Sequence, residues 1–415
     1  MILVASAFAE PYTLDAALEA ARTRSPDAVM IDARREQARG DAGAAMAPLL
    51  PQVSASGAYR HNDKEISFPN PFDPTATLTI QKLDVVNAGV SASQVIFNGG
   101  LFARAIAARK ADHAAEAAHD AGMLDLSLRT ANTWLGARSA REVRAAMEEA
   151  LSAAESHEKV AQAGLAAGTV TPLAADRAKL AVLDAKQKLA DASRLERDLL
   201  GQLSVLVGGG PVEIVAGPIV ATGETLSEAT LIEHALAARP ELAVAHAQLD
   251  AARAGKLTVA GDWAPAVTAV GAYTYTNSPM FTDDPASWYV GVNATLPVFD
   301  GGLRFAEARR VNAAVMVAQA NVDKLEASTR EDVLAAVRAE NDAEAALELA
   351  RAQEETALHA RMIAESSFSA GGSTAVDVED AQAALLGARM GRVRAEAQWL
   401  AARWTRARLC GEGIE

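Results

Sequence analysis

Between Gly100 and Gly164 the chain carries no proline and keeps a helical pattern throughout. At about 1.5 Å of rise per residue that is roughly 95 Å of helix. A second helical stretch, 172–206, follows it, and the pair returns at about 302–368 and 374–409. Such lengths lie far beyond the ~8–20 residues usual in globular domains. A helix this long cannot bury itself in a compact core, so it must pack along partners. Aromatics make up only 5% of the chain and alanine is abundant. Alanine favours helices that lie closely side by side. Two long helical hairpins are therefore expected. They reverse at Gly164-Leu165-Ala166-Ala167-Gly168-Thr169-Val170-Thr171 and at Ser369-Ala370-Gly371-Gly372-Ser373-Thr374. Glycine permits the reversed backbone there, and Thr171 or Thr374 can cap the returning helix.

The hairpins are part of a wider duplication. Pro51-Gln52-Val53-Ser54-Ala55-Ser56-Gly57-Ala58-Tyr59 returns as Pro265-Ala266-Val267-Thr268-Ala269-Val270-Gly271-Ala272-Tyr273, 214 residues on. Phe97-Asn98-Gly99-Gly100 returns as Phe299-Asp300-Gly301-Gly302, 202 residues on. The turn marker returns at an offset of 203. Three markers in one order at near-constant spacing mean an internal repeat. The change of 12 in offset places one insertion between the first two markers, in a surface loop. The first repeat is read as 10–206, the linker as 207–226 (Gly- and Pro-rich) and the second repeat as 227–415.

Each repeat opens on helix. Residues 13–47 carry Thr13 as cap and a break at Ser25-Pro26, and 227–262 carry Ser227 and a break at Arg239-Pro240. Two stretches of period-two alternation then read as strands, about 52–60 and 85–97 in the first repeat, about 266–277 and 287–298 in the second. Residues 61–84 read as loop, and the corresponding loop 277–285 is short. Each strand is long enough to cross a bilayer when tilted, with one apolar face and one small or polar face. Taken alone, each pair would also suit a soluble β-hairpin.

The N-terminus, Met1 to Ala9, ends in Ala7-Phe8-Ala9 after an apolar run and reads as the remnant of an export signal. No run approaches the roughly 18 apolar residues of a membrane-spanning helix, so any crossing must be made by strands. Four strands per chain cannot close a barrel, since the smallest membrane barrels have eight. Closure calls for a cyclic homo-oligomer. The net charge of −14 argues against a nucleic-acid partner. Cys410 is the single cysteine, which rules out an internal disulfide and a Cys-rich metal site.

These markers resemble those of the TolC-like outer membrane efflux family, over residues 11 to about 409. The resemblance rests on Pro51…Gly57-Ala58-Tyr59 and its repeat, on the Phe-Asn/Asp-Gly-Gly strand exit, and on Gly371-x-x-Thr374-x-x-Asp377-Val378-x-Asp380-Ala381. It implies a mainly helical fold with membrane β: a homotrimer whose twelve strands form one outer-membrane barrel. The helical hairpins would continue as a periplasmic α-barrel. The duct would dock on a periplasmic adaptor and an inner-membrane pump or ABC exporter, in efflux or type I secretion, with no cofactor. A soluble periplasmic coiled-coil scaffold or adaptor is the competing reading. An adaptor should show one hairpin flanked by compact β domains, whereas this chain has two hairpins.

The resemblance also implies roles for particular residues. Asp377 and Asp380 share one face of the returning helix. In similar proteins this pair projects into the tunnel at its periplasmic mouth. Three chains would gather six carboxylates into a cation-attracting ring, whose crowding should raise some of their pKa values. Solvated charges favoured by the helix dipole would be the simpler account of the same pair. In the first repeat Ala174 and Arg177 stand at the matching positions. Family members often have an arginine that ties the gate shut where this chain has Ser373. The tips, Gly168 and Thr169 with Gly371, Gly372 and Ser373, resemble the surfaces that meet the adaptor. An enzyme reading finds little support. His113 and His119 are not on one helix face, and no phosphate-binding loop or Gly-x-Ser-x-Gly elbow is present.

Overall fold

A computed structural model describes residues 10–70, 73–215, 227–279, 284–370 and 372–411. The expected signal remnant, most of the linker and Gly371 lie outside the described residues. The elements run in chain order as follows. Strand β1 (Glu10–Tyr12) leads into helices α1 (Leu14–Arg24) and α2 (Pro26–Met46), the second closing in a short 3-10 turn. Strands β2 (Gln52–His61), β3 (Ile66–Asn70), β4 (Asp73–Gln81) and β5 (Asp84–Asn98) precede the long helices α3 (Gly99–Ala166) and α4 (Pro172–Leu206). Strand β6 (Val212–Ile214) and helices α5 (Glu228–Ala238) and α6 (Pro240–Gly261) open the second half. Strands β7 (Ala266–Thr276) and β8 (Ala286–Thr295) follow, then helices α7 (Leu303–Ser369) and α8 (Ala375–Leu409). Among the described residues, no helix is long and apolar enough to cross a membrane.

Local chemistry sets the helix boundaries. Thr13, Thr171, Ser227 and Thr374 each take extended backbone and accept a hydrogen bond from a first-turn N–H. Pro26, Pro172 and Pro240 each open a helix, where the missing N–H has no partner to lose. The strand-exit marker starts a helix in both halves. Asn98 Oδ1 accepts from Leu101 N at 3.0 Å. Asp300 Oδ1 and Oδ2 accept from Gly302 N at 3.1 Å and Arg304 N at 3.3 Å.

The chain divides into two compact units, and each draws on both sequence repeats. The first comprises Met1–Arg34, Ala117–Ala243 and Asp323–Glu415. Its main core gathers Leu14, Leu18, Trp134, Leu203, Leu400 and Trp404 from α1, α3, α4 and α8. The Trp134 indole donates to the Tyr12 carbonyl at 3.1 Å. Strand β1 pairs in parallel with β6, Tyr12 opposite Ile214. The repeats pack alike: Ala21 and Ala28 meet Leu126, while Leu231 and Ala235 meet Val333. A glycine with positive φ follows each returning helix, Gly208 at +96° and Gly411 at +71°. A Cβ on Gly208 would lie 2.6 Å from Arg24 Cβ, and one on Gly411 2.5 Å from the Ala238 carbonyl oxygen. Both places admit only glycine, so the returning helix can end against the first helix of its repeat. Charge joins the two hairpins as well. Arg392 of α8 reaches Glu142 of α3 at 3.5 Å, and Arg389 of α8 reaches Glu149 of α3 at 2.5 Å.

The second unit comprises Arg35–Glu116 and Val244–Val322. Its centre is a four-stranded antiparallel sheet in the order β2-β5-β7-β8. Strands from both repeats therefore pair directly, Val90 opposite Tyr273. This shared sheet is why the unit cuts across the duplication.

Two expectations need correcting. The stretch 61–84 is not all loop. Strands β3 and β4 pair there as an antiparallel hairpin, with Phe68 opposite Leu78 and Ser67 Oγ 2.9 Å from Thr79 Oγ1. Pro69 and Pro74 suggested irregular chain, but proline is tolerated in an edge strand. This hairpin occupies the place where the repeats differ by an insertion. Second, residues 212–214 of the expected linker are strand β6, held by β1 rather than by any local pattern.

Candidate functional site

The helical turns supply one set of candidate residues, all within the first unit. In the α3–α4 turn, Gly168 has φ +78° and no neighbour within 4 Å of a Cβ built on it. The Gly164 carbonyl accepts from Thr169 N at 2.9 Å, Val170 N at 3.2 Å and Thr169 Oγ1 at 3.1 Å. Gly164 itself is needed for space, since a Cβ there would sit 2.4 Å from Val170 Cγ2. Gly168 and Thr169 are exposed at the apex. In the α7–α8 turn, Gly372 N donates to the Ser367 carbonyl at 2.8 Å. Ser373 Oγ donates to the Ala364 carbonyl at 3.1 Å. The hydroxyl that stands where similar proteins often have an arginine is thus committed to its own hairpin.

Asp377 and Asp380 are both exposed on α8 but do different things. Asp377 is the third residue of the helix and completes a capping box with Thr374. Its Oδ2 accepts from Thr374 N at 2.7 Å and from Thr374 Oγ1 at 2.8 Å. The backbone bond from Thr374, then its hydroxyl, hold the Asp377 carboxyl below its ordinary range. Hydrogen bonds to the charged form favour it, which is the cause of this lowering within one chain. Ala174 takes the same place in α4, so Thr171 caps that helix without an acidic partner. Asp380 lies one turn further on. It lines a groove of about 270 Å³ between α3, α4 and α8, with His157, Asp184, Lys188 and Glu379 among its walls. The sequence did not reveal this groove, because its three walls are far apart in the chain.

The second set lies on the sheet of the other unit. Register puts Val53, Ala55, Gly57 and Tyr59 of β2 beside Ala92, Val90, Ala88 and Val86 of β5. Across the next pairings, Val290, Val292 and Ala294 of β8 stand opposite Gly271, Ala269 and Val267 of β7, on that same face. Trp288 stands opposite Tyr273. These side chains are open in one chain, Val290 at 77% and Trp288 at 71% exposure. The reverse face carries hydroxyls and amides. Ser54 bonds Ser91 at 2.8 Å, Thr274 bonds Ser287 at 2.8 Å, and Asn87 and Asn293 share the face. The outer edges of β2 and β8 have no partner strand among the described residues. A sheet with apolar residues on one face, hydrogen-bonding groups on the other and two bare edges can line water on one side and lipid on the other once its edges are paired.

Among the described residues no three His, Cys, Asp or Glu side chains converge as a metal site. His119 instead bridges carboxylates, with Nε2 2.9 Å from Asp32 and Nδ1 3.0 Å from Asp120. That contact joins α3 to α2 and has no local sequence signature.

Comparison with known proteins agrees with this geometry. A family profile described as outer membrane efflux protein matches residues 17–209 and 231–412. The pyoverdine export outer membrane protein OpmQ of Pseudomonas aeruginosa is 30% identical over 312 residues, which cover 73% of this chain and 65% of that protein. The match thus spans just under two thirds of the curated relative's length. Among solved structures, the Campylobacter jejuni CmeC outer membrane channel superposes with a TM-score of 0.79 at 16% identity, covering 97% of this chain and 86% of that one. The outer membrane protein VceC of Vibrio cholerae gives 0.77 at 20% identity, covering 97% of both. With both long segments of the sequence matched, this chain belongs to the outer membrane efflux protein family, located in the outer membrane, and its fold is that of the TolC-like channels.

Proposed function

We propose that three copies of this chain form a passive duct from the periplasm to the exterior, in efflux or type I secretion. The bare edges of β2 and β8 carry this reading. Four strands cannot close on themselves, and three sets make a twelve-stranded barrel with the apolar face toward lipid. At about 3.3 Å per residue, the ten residues of β2 and of β8 extend roughly 33 Å, enough to cross the hydrocarbon core when tilted.

In this reading the long hairpins line the periplasmic part of the duct. The tips at Gly168 and Thr169 and at Gly371, Gly372 and Ser373 meet a periplasmic adaptor, which joins the duct to an inner-membrane pump or ABC exporter. Three copies of Asp377 and Asp380 place six carboxylates around the periplasmic mouth and favour cations there. The pump selects the cargo, and the pyoverdine named for the relative is the first compound to try.

The deciding experiment is the detergent-corrected mass of protein extracted from the membrane fraction. Three chains of 43.2 kDa give about 130 kDa. A trimer that needs detergent is the expected result. A soluble monomer would overturn the duct and leave a periplasmic scaffold in its place.

A further inference from the structure

The helices that adjoin the sheet repeat a simple pattern on their open faces. On α3, Phe102 is exposed, and Arg109 stands two turns further along the same face. Exposed Lys256 lies on α6, and exposed Trp263 stands in the turn just after that helix ends at Gly261. On α7, exposed Phe305 is followed one turn on by exposed Arg309. All six residues belong to the second unit.

The aromatic level is firmly held. Trp263 and Phe305 meet edge to face with centroids 5.5 Å apart. The Arg304 guanidinium lies 3.9 Å over the Trp263 ring and is itself fixed by Asp300 at 2.6 Å. The three helices are also tied at the cationic level. Lys110 of α3 pairs with Asp250 of α6, and Gly255 of α6 packs beside Val311 of α7, where Arg310 is paired within its own helix to Glu307. Arg109, Lys256 and Arg309 enter none of these pairs and have no ionic or hydrogen-bonding partner among the described residues. Aromatic rings belong at the boundary between hydrocarbon and headgroups, and the headgroup layer beyond it is roughly 5–8 Å thick. Helix rises about 10 Å from Phe102 to Arg109 and about 6 Å from Phe305 to Arg309, and Lys256 lies five residues before the end of α6, so these long cationic side chains can reach the phosphates from their stems.

We propose that Arg109, Lys256 and Arg309 form a collar that binds the phosphates of anionic glycerophospholipid on the helical side of the sheet. The proposal rests on the reading of the sheet as membrane-spanning. Charge complementarity and continuity with the apolar sheet face select this partner. Three unpaired cations beside exposed rings meet a phosphate and an acyl chain at once, whereas a soluble partner would have to cover the rings alone.

The test is native mass spectrometry of the detergent-extracted protein after incubation with equal amounts of phosphatidylglycerol and phosphatidylethanolamine. Phosphatidylglycerol should be retained at least about fivefold over phosphatidylethanolamine, the worth of one interfacial cation. The triple change R109Q/K256Q/R309Q should bring that ratio to about one, while R109K/R309K should keep it. Equal retention by the wild type, or a preference that survives the triple change, overturns the collar. Retention of lipid A in place of phosphatidylglycerol also overturns it, because that lipid belongs to the other leaflet. A chain released without detergent overturns the membrane reading itself, so the two failures are distinguishable.

Discussion

The Asp377 carboxylate accepts both the backbone N–H and the hydroxyl of Thr374, at 2.7 and 2.8 Å, so one half of the acidic pair already serves its own helix. Asp380 has no such duty and lines the groove beside α3 and α4. In bilayer recordings of the trimer, Asp380→Asn should therefore lower cation preference. Asp377→Asn should lower it further while also loosening the first turn of α8. Thr374→Ala should cost about 1 kcal/mol of local stability, read as faster amide exchange at residues 375–378. Unchanged selectivity in the double Asp→Asn variant would remove the carboxylate ring from the account.

The two faces of β8 give a sharper test of which side meets lipid. Val290 stands opposite Gly271 on the apolar face, and Asn293 stands opposite Thr268 on the other. A lysine at a lipid-facing midplane position costs roughly 2–4 kcal/mol. Val290→Lys should sharply reduce the amount of folded trimer recovered from the outer membrane, while Asn293→Lys should be tolerated. Equal recovery of the two variants would mean that the apolar face is not lipid-facing.

What could be read in the sequence was whatever local chemistry decides. Thr13, Thr171, Ser227 and Thr374 cap their helices because a hydroxyl reaches an N–H three residues away, which needs no tertiary partner. Pro26 and Pro240 open helices for an equally local reason. The alternation in β5 and β8 displays which residues share a face. What escaped was long-range. Strand β6 exists because Glu10–Tyr12 lies beside it, 202 residues away in sequence. The β3–β4 hairpin was hidden by Pro69 and Pro74, which an edge strand accommodates. The acidic pair was legible as a pair. Its division of labour was not, because a capping box and a pore ring call on the same residue type at the same helix position.

Gly168 separates turn geometry from docking. A residue with a side chain pays roughly 1–2 kcal/mol to hold positive φ, and asparagine less than most. Gly168→Val should therefore destabilise the turn, with faster exchange at the Thr169 and Val170 amides that bond Gly164. Gly168→Asn should retain most of their protection. A bulky probe at Gly168 would mix this strain with any loss of docking. A photo-crosslinker at exposed Ala167 should capture the adaptor while leaving the turn intact, and absence of any adduct there would count against docking at this tip.

Two groups in the first unit give stability opposite pH dependences. The bond to Asp120 raises the His119 pKa; burial opposes it, and Asp32 adds to it. Its contribution is complete below the unfolded value of about 6.5 and is lost as pH rises through the raised folded value. Glu241 behaves conversely. Burial pushes its carboxyl up, but the hydrogen bond from Arg408, its own backbone N–H, and the charges of Arg408 and Arg239 hold it below the ordinary value. Arg408 lies 2.8 Å from Glu241 and 2.6 Å from Asp125. The Glu241 contribution is present above about pH 4.3 and is lost as pH falls through the lowered folded value. Thermal melts of the detergent-extracted protein should show His119→Gln weakening it most near pH 5.5 and hardly at all near pH 9. Arg408→Gln should weaken it at neutral pH, by about 2 kcal/mol because Arg408 is buried but Glu241 is partly open to solvent, and the deficit should shrink as Glu241 protonates in acid. If the His119→Gln deficit were the same at every pH, the bridge to Asp32 and Asp120 would be a packing contact and not an ionic one.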